Sequence, residues 1–174
     1  MIAQRRQNLR LLLRPRHVAL FGGGDVATVI NECRRIGYTG ALWPVNPKRK
    51  VIAGIPCFPD IEALPEAPDA SFLAVPKQAA IDITARLARC GAGGVVCYTA
   101  GFSELGSAGQ QAEAELLEAA GDMALLGPNC YGLINYHDRL ALWPFAHGGM
   151  HPGFGAAIIT QSGMLSSDLT MSQR

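Results

Sequence analysis

The sequence predicts an α/β protein built on a doubly wound parallel sheet, and three observations carry that expectation. Short apolar runs alternate with helical stretches of about ten residues, the pattern of β-α-β units. The runs are nearly continuous in apolar side chains, as strands covered on both faces require. Glycine or proline closes most of the runs and several of the helical stretches, punctuation that separates one element from the next. Right-handed crossovers then wind the sheet into an open form. Such a sheet binds ligands at the carboxyl ends of its strands.

Each element follows in order. Residues 1–15 form a lead-in segment in which Leu9, Leu12 and Leu13 are spaced to pack on the domain as a short helix. The same segment carries Arg5, Arg6, Arg10, Arg14 and Arg16 with no acid before Asp25. An Arg-rich presequence is the competing reading, but its usual serines are missing. His17-Val18-Ala19-Leu20-Phe21 is the first strand and ends at Gly22-Gly23-Gly24. A helix from Asp25 places Val26, Val29, Ile30, Cys33 and Ile36 on one face and stops at Gly37. Residues 41–45 are the second strand, 60–64 a short helix, and 71–75 a third strand stopped by Pro76. Residues 79–90 read as helix, 94–98 as strand, 110–120 as helix and 123–126 as a fifth strand ending at Gly127-Pro128-Asn129. Residues 132–153 show no period and read as an irregular connection. A new strand, turn and helix then begin at 155–160, Gln161-Ser162-Gly163 and Met164, the opening of a second α/β domain.

Composition bounds what this fold does. The chain has 174 residues, 49% hydrophobic and 17% charged, with a net charge of +1. That apolar fraction excludes disorder, and the balanced charge argues against a general nucleic-acid binder. No apolar run reaches the roughly 20 residues of a membrane span. Five cysteines, an odd number without C-x-x-C spacing, and no secretory signal point to reduced thiols in a cytoplasmic protein. His147 and His151 have H-x3-H spacing, but Gly148, Gly149 and Pro152 break the helix such a metal pair needs. No metal site is expected.

The strand ends carry the chemistry. Gly22-Gly23-Gly24-Asp25-Val26-Ala27 fits G-x-G-x-x-A between a strand and a helix, where bare backbone lets amides reach a pyrophosphate. A dinucleotide site using NAD would place an acid about 20 residues on. Here the second strand runs instead into Asn46-Pro47-Lys48-Arg49-Lys50. Three cations suit an additional phosphate, the 2′-phosphate of NADP or the 3′-phosphate of coenzyme A. A solvated basic loop is the plain alternative. Val75-Pro76, Thr99-Ala100-Gly101 and Gly127-Pro128-Asn129 close the other strands. Cys130 reads better as a small buried thiol than as a nucleophile. Ser162-Gly163 sits where a helix N-cap meets an anion. Thr160 and Met164 occupy the glycine positions of a hydrolase elbow, so that chemistry is unsupported.

Taken together, the ordered strand ends resemble the NDP-forming acyl-CoA synthetases, the family of ADP-forming acetate–CoA ligase and the α subunit of succinyl-CoA synthetase. The matching pieces are Pro15-Arg16-His17-Val18-Ala19-Leu20-Phe21-Gly22, Trp43-Pro44-Val45-Asn46-Pro47-Lys48, Val75-Pro76, Thr99-Ala100-Gly101-Phe102, Leu126-Gly127-Pro128-Asn129-Cys130-Tyr131-Gly132 and Thr160-Gln161-Ser162-Gly163. The resemblance implies a Rossmann-like CoA-binding domain over 16–150 and the truncated start of a flavodoxin-like ligase domain over 151–174. It implies CoA held by Gly22, Gly23, Gly24, Asn46, Lys48, Val75, Pro76, Thr99, Ala100, Gly101 and Asn129. Lys48 would take the 3′-phosphate, and Ser162-Gly163 would receive the phosphate of a phosphohistidine. In the parent enzyme, carboxylate, CoA and a nucleoside triphosphate would yield acyl-CoA, with ADP or ATP and Mg bound outside this chain. None of His17, His137, His147 or His151 stands in the phosphohistidine context, so no catalytic residue is expected here and the chain alone is expected to be inactive. Expected partners are CoA and the remaining ligase and ATP-grasp domains or subunit, with a homo-oligomer possible in principle and neither nucleic acid nor membrane. The alternatives are a stand-alone CoA-binding or regulatory module and an NADP-binding oxidoreductase fragment.

Overall fold

The protein is described by a computed structural model covering residues 2–150 and 153–172. Its elements run α1 (Ile2–Leu13), β1 (His17–Phe21), α2 (Gly24–Arg35), β2 (Ala41–Val45), β3 (Val51–Ile52), β4 (Ile55–Pro56) and β5 (Ala70–Leu73). They continue with α3 (Lys77–Arg89), β6 (Gly94–Cys97), a single 3-10 turn (Ser103–Leu105), α4 (Ser107–Ala120), β7 (Ala124–Leu126), β8 (Leu133–Asn135), β9 (Leu140–Leu142) and α5 (Gly163–Met171).

Five strands form one parallel sheet in the order β2-β1-β5-β6-β7. The register pairs Phe21 with Val45 on one side and Leu73 on the other, then Leu73 with Cys97 and Val96 with Leu126. The carboxyl ends of the strands therefore lie along a single edge. Alternate residues of each strand feed opposite faces. Ala19, Phe21, Leu73, Val95 and Cys97 join Ala80 and Leu87 of α3 and Ala112 and Leu116 of α4. Val18, Leu20, Phe72 and Val96 join Leu12 of α1, Val26, Val29, Ile30 and Cys33 of α2, and Leu140, Ala141 and Leu142 of β9. Each large side chain buried this way stabilises the fold by about 1.5–3 kcal/mol, so both covered faces contribute to holding the sheet against its helices.

The opposite, amino-terminal edge is closed by charge. Asp69 is buried and accepts hydrogen bonds from the Arg16 backbone N–H at 2.8 Å and from the Arg16 guanidinium at 2.9 and 3.0 Å. Burial opposes the ionised carboxylate, but these Arg16 bonds outweigh it and hold the carboxyl below its ordinary range. The Asp69 N–H donates to His17 Nδ1 at 3.1 Å, and the His17 ring stacks on Trp43 at 4.6 Å. These bonds anchor the starts of β1, β2 and β5 together.

Five details differ from the sequence expectation. In α1 only Leu12 of the three leucines is buried; Leu9 and Leu13 are 49% and 41% exposed, and Asn8 takes the second buried position by donating to the Asp122 carbonyl. Residues 60–64 form a turn rather than a helix, with Asp60 Oδ1 accepting from the Ala63 N–H, because Pro59 and Pro65 leave no room for a second turn. The two-residue strands β3 and β4 pair as a hairpin that apolar runs do not reveal. Residues 132–153 are not wholly irregular, since β8 and β9 pair antiparallel and the buried Leu140–Leu142 strand covers α2. Residues 155–160 are extended but form no ladder, because none of the described strands runs beside them. Helix α5 does form and begins at Gly163 behind Ser162, whose Oγ accepts from the Leu165 N–H at 3.2 Å.

Candidate functional site

An open cleft of about 520 Å³ lies outside the carboxyl ends of the parallel strands. It is lined by Asp25 at the start of α2, by Ala74, Val75, Pro76 and Lys77 between β5 and α3, by Tyr98, Thr99 and Ala100 after β6, and by Asn129 and Tyr131 after β7. Open parallel sheets bind ligands at this edge. The five strands span four inter-strand spacings, about 19 Å at about 4.8 Å each. The edge is long enough to accommodate an extended ligand rather than a single ion.

The Gly turn sits at the β1 end of this edge. Gly22 has φ +146°, and a Cβ there would stand 2.6 Å from the Ala74 carbonyl oxygen. Only glycine lets β1 leave the sheet so close to the strand beside it. Gly24 opens α2 and has no neighbour within 4 Å of a Cβ position. No side chain caps α2 at Gly23, and none caps α3 at Pro76. Two helices thus start at the cleft edge without a side chain taking their first-turn N–H groups, which need partners and favour an anion.

The neighbouring basic loop is fastened to this turn by Asn46. Its Nδ2 donates to the Gly22 carbonyl at 2.7 Å, and its Oδ1 accepts from the Lys48 and Arg49 N–H groups, both at 2.9 Å. The Arg49 guanidinium lies 3.5 Å from the Cβ position of Gly23. The Lys48 N–H is bound to the Asn46 side chain, and Lys48 is not among the neighbours of the glycine Cβ positions. The cation the fold sets beside the glycines is therefore Arg49, a residue the basic run contains but whose side-chain direction spacing does not disclose.

The remaining strand ends are tied to one another. Thr99 Oγ1 donates to the Val75 carbonyl at 2.7 Å, and the Asn129 N–H donates to the Thr99 carbonyl at 3.0 Å. Asn129 holds φ +51°, a conformation asparagine tolerates better than most residues. Gly101 stands at the rim, and its N–H is taken by the Glu104 carboxylate at 2.5 Å. That bond, with Lys77 nearby, lowers the Glu104 carboxyl below its ordinary value. Cys130 is turned inward: its thiol donates to the Leu126 carbonyl at 3.3 Å, and burial pushes it up to about 11. Burial likewise raises Cys97 to about 12. Neither thiol is a ready nucleophile.

Of the sequence candidates, the cleft brings together Val75, Pro76, Thr99, Ala100 and Asn129, with Gly22, Gly23, Gly24 and Asn46 on the adjoining turn. Gly163 packs against Tyr131, where a Cβ would stand 2.9 Å from the ring, so the Ser162-capped start of α5 reaches the far end of the same edge. Sequence reasoning missed Asp25, Lys77, Tyr98 and Tyr131 as lining residues. Lys77 had a signal, since a lysine in the first turn of a helix with no acid there opposes the helix dipole unless an anion is near. The described residues hold no group of three or more His, Cys, Asp or Glu that could bind a metal ion. His147 is instead engaged with Arg35 and Glu32, and its H-x3-H partner His151 lies outside the described residues. Among the described residues no helix is long and apolar enough to cross a membrane.

Comparison with known proteins adds a relationship to this geometry. The CoA binding domain family matches residues 23–136. A trans-feruloyl-CoA synthase from an unknown prokaryotic organism is 37% identical over 173 residues, covering 94% of this chain and 24% of that protein. An ADP-forming acetate–CoA ligase of Archaeoglobus fulgidus is 35% identical over 130 residues, covering 71% of this chain and 19% of that ligase. Among solved structures, dinucleotide forming acetyl-coenzyme A synthetase 1 of Ca. Korarchaeum cryptofilum, in complex with phosphate and ADP, superimposes with a TM-score of 0.82 at 26% identity, covering 93% of this chain and 36% of that one. The chain thus spans about a quarter or less of the length of these two curated relatives.

Proposed function

The chain belongs to the CoA binding domain family, and on that premise we propose that it is the CoA seat of an NDP-forming acyl-CoA synthetase. In the whole enzyme a carboxylate, CoA and a nucleoside triphosphate give acyl-CoA, nucleoside diphosphate and phosphate by way of acyl phosphate and phosphohistidine. The observation that carries the reading is the cleft edge itself. It offers two helix N-termini without side-chain caps, a glycine turn open to close approach, and a basic loop fastened to that turn by Asn46.

The roles follow from the positions. Amides at the Gly22–Gly24 turn and at the start of α3 receive pyrophosphate charge. Lys48 and Arg49 take the 3′-phosphate. Val75, Pro76, Thr99, Ala100 and Gly101 bound the pantetheine path, and Asn129 lies toward its thiol end. Ser162 and Gly163 supply one side of the anion pocket that meets the phosphohistidine of the full enzyme. Residues 151–174 then begin the ligase domain. The partners are the remaining ligase and ATP-grasp domains or subunit, where the nucleotide and Mg bind, and the setting is cytoplasmic. No residue of this chain is assigned the phosphoryl transfer itself. His17 stands at the opposite edge of the sheet, and His147 is spent on Arg35 and Glu32.

Relatives of this chain are named for different acyl groups, trans-ferulate in one and acetate in another. The family alone leaves the acyl group open. Calorimetric titration with CoA, dephospho-CoA and NADPH tests the reading. CoA is expected to bind and to exceed dephospho-CoA. Binding of NADPH without CoA would replace it with the oxidoreductase alternative.

A further inference from the structure

The wall of the cleft beyond β6 and β7 is aromatic. Tyr98 and Tyr131 line it, and Phe145 packs edge-on against both, at 6.2 and 4.8 Å between ring centroids. Trp143 and Phe72 back this group, Trp143 at 5.6 Å from Tyr131 and Phe72 at 6.0 Å from Tyr98. The inner rings are buried, whereas Phe145 remains 37% exposed and both tyrosines are half-buried. Partly buried tyrosines ordinarily place their hydroxyl on a partner. Among the described residues neither the Tyr98 nor the Tyr131 hydroxyl makes a hydrogen bond. The wall therefore presents open ring surface with two unengaged hydroxyls.

We propose that Tyr98, Tyr131 and Phe145 form the seat of a planar aromatic acyl group carried on CoA. The proposal rests on reading the cleft as the CoA site. Under that reading the orientation of the ligand is constrained. The 3′-phosphate and the adenine share one ribose, so both belong at the β2–β1 end, where Lys48 and Arg49 stand. By strand spacing Tyr98, after β6, stands about 10 Å from the end of β1, and Tyr131, after β7, about 14 Å. The Tyr131 and Phe145 side is the part of the wall farthest from the phosphate end and is placed for the opposite end of the ligand, the thioester and its acyl group. An acetyl group is too small to cover these rings. A flat aromatic acyl group can lie against a tyrosine face and meet Phe145 at its edge, the offset and edge-on arrangements that aromatic pairs favour. A ring hydroxyl on such a group could pair with Tyr98 or Tyr131.

The test is titration calorimetry of the full chain with CoA, acetyl-CoA and benzoyl-CoA, with Phe145→Ala and Phe145→Leu as variants checked by circular dichroism. Benzoyl-CoA is expected to bind about tenfold tighter than acetyl-CoA. Both variants are expected to reduce that ratio to about twofold or less. Equal affinity of the wild-type chain for acetyl-CoA and benzoyl-CoA overturns the aromatic seat while leaving the CoA reading in place, and this arm needs no variant. A ratio unchanged by either variant, or variants that weaken all three ligands alike, removes Phe145 from acyl recognition and also overturns it. Failure of all three ligands to bind takes down the CoA reading, and the acyl seat with it.

Discussion

The Asn46 side chain donates to the Gly22 carbonyl at 2.7 Å while accepting from the backbone of Lys48 and Arg49. One amide thereby sets the end of β2 against the end of β1 and aims a basic loop at a glycine turn. Replacing it with alanine releases the loop and leaves three backbone groups without their partner. Asn46→Ala is expected to cost about 1–3 kcal/mol of stability and to weaken CoA roughly tenfold. Thermal melts and calorimetry on the same sample check both.

The glycines of that turn separate a folding role from a binding role. Gly22→Ala forces a Cβ to within 2.6 Å of the Ala74 carbonyl oxygen at a positive φ. A loss of about 2–4 kcal/mol is expected from strain and displaced backbone. Gly24 meets nothing within 4 Å of its Cβ position and opens a helix. Gly24→Ala is expected to raise stability by about 0.5–1 kcal/mol while reducing CoA affinity, because the methyl group stands where a phosphate must approach. Urea unfolding and titration should move in opposite directions for this one variant.

Arg49 and Lys48 are adjacent but differ in where they lead. The Arg49 guanidinium lies over Gly23, while the Lys48 N–H donates to the Asn46 side chain within its own loop. Arg49→Ala is expected to reduce the preference for CoA over dephospho-CoA by about tenfold, as loss of a charge-assisted phosphate contact would. Lys48→Ala is expected to have the smaller effect. Competition between the two ligands, measured for each variant, ranks them.

The Glu32–Arg35–His147 network predicts a pH response. Arg35 donates to Glu32 at 2.7 Å and contacts the His147 ring at 2.9 Å, and the Tyr136 hydroxyl is 3.3 Å from the same ring. Burial, and then Arg35, lower His147 below the ordinary imidazole value, against the pull of Glu32. A depressed value means the folded state favours the neutral ring. Its contribution is complete above the unfolded value near 6.5 and is lost as pH falls through the lower folded value. The urea midpoint is expected to drop on acidification from pH 7 toward 5. His147→Gln is expected to flatten that drop without altering the loss at lower pH due to Asp69, whose carboxyl is also depressed. Tyr136 is raised by burial and does not titrate in this range.

What the sequence disclosed and what it withheld have separable causes. The five strands of the sheet were legible because both faces are buried, which writes apolar runs such as His17–Phe21 directly into the sequence. The strand ends that line the cleft followed, since a parallel sheet places them on one edge. The hairpin β3–β4 was not legible, because two residues are too few to show a period. Residues 155–160 look like a strand in isolation, but strands are completed by neighbours, and none is described beside them. The choice between Lys48 and Arg49 depends on the Asn46 turn, a contact rather than a spacing. Tyr98 ends a strand run and Tyr131 sits in a strand-end turn, and no spacing shows that Phe145 packs beside both from a region without periodicity.

The β8–β9 hairpin fixes the order in which a growing chain can finish folding. Leu140, Ala141 and Leu142 complete the face formed by α1 and α2, Asn135 donates to the Leu13 carbonyl at 2.9 Å, and Arg14 pairs with Asp138 at 2.8 Å. Helix α1 is thus latched by residues synthesised more than a hundred positions later. On the ribosome the parallel sheet can pair strand by strand, yet one apolar flank stays open until the hairpin emerges. Contacts this distant in sequence slow closure and lengthen the interval of exposure. A chaperone that holds nascent apolar surface would therefore meet this domain at the α2 flank rather than at the cleft, until the hairpin has emerged.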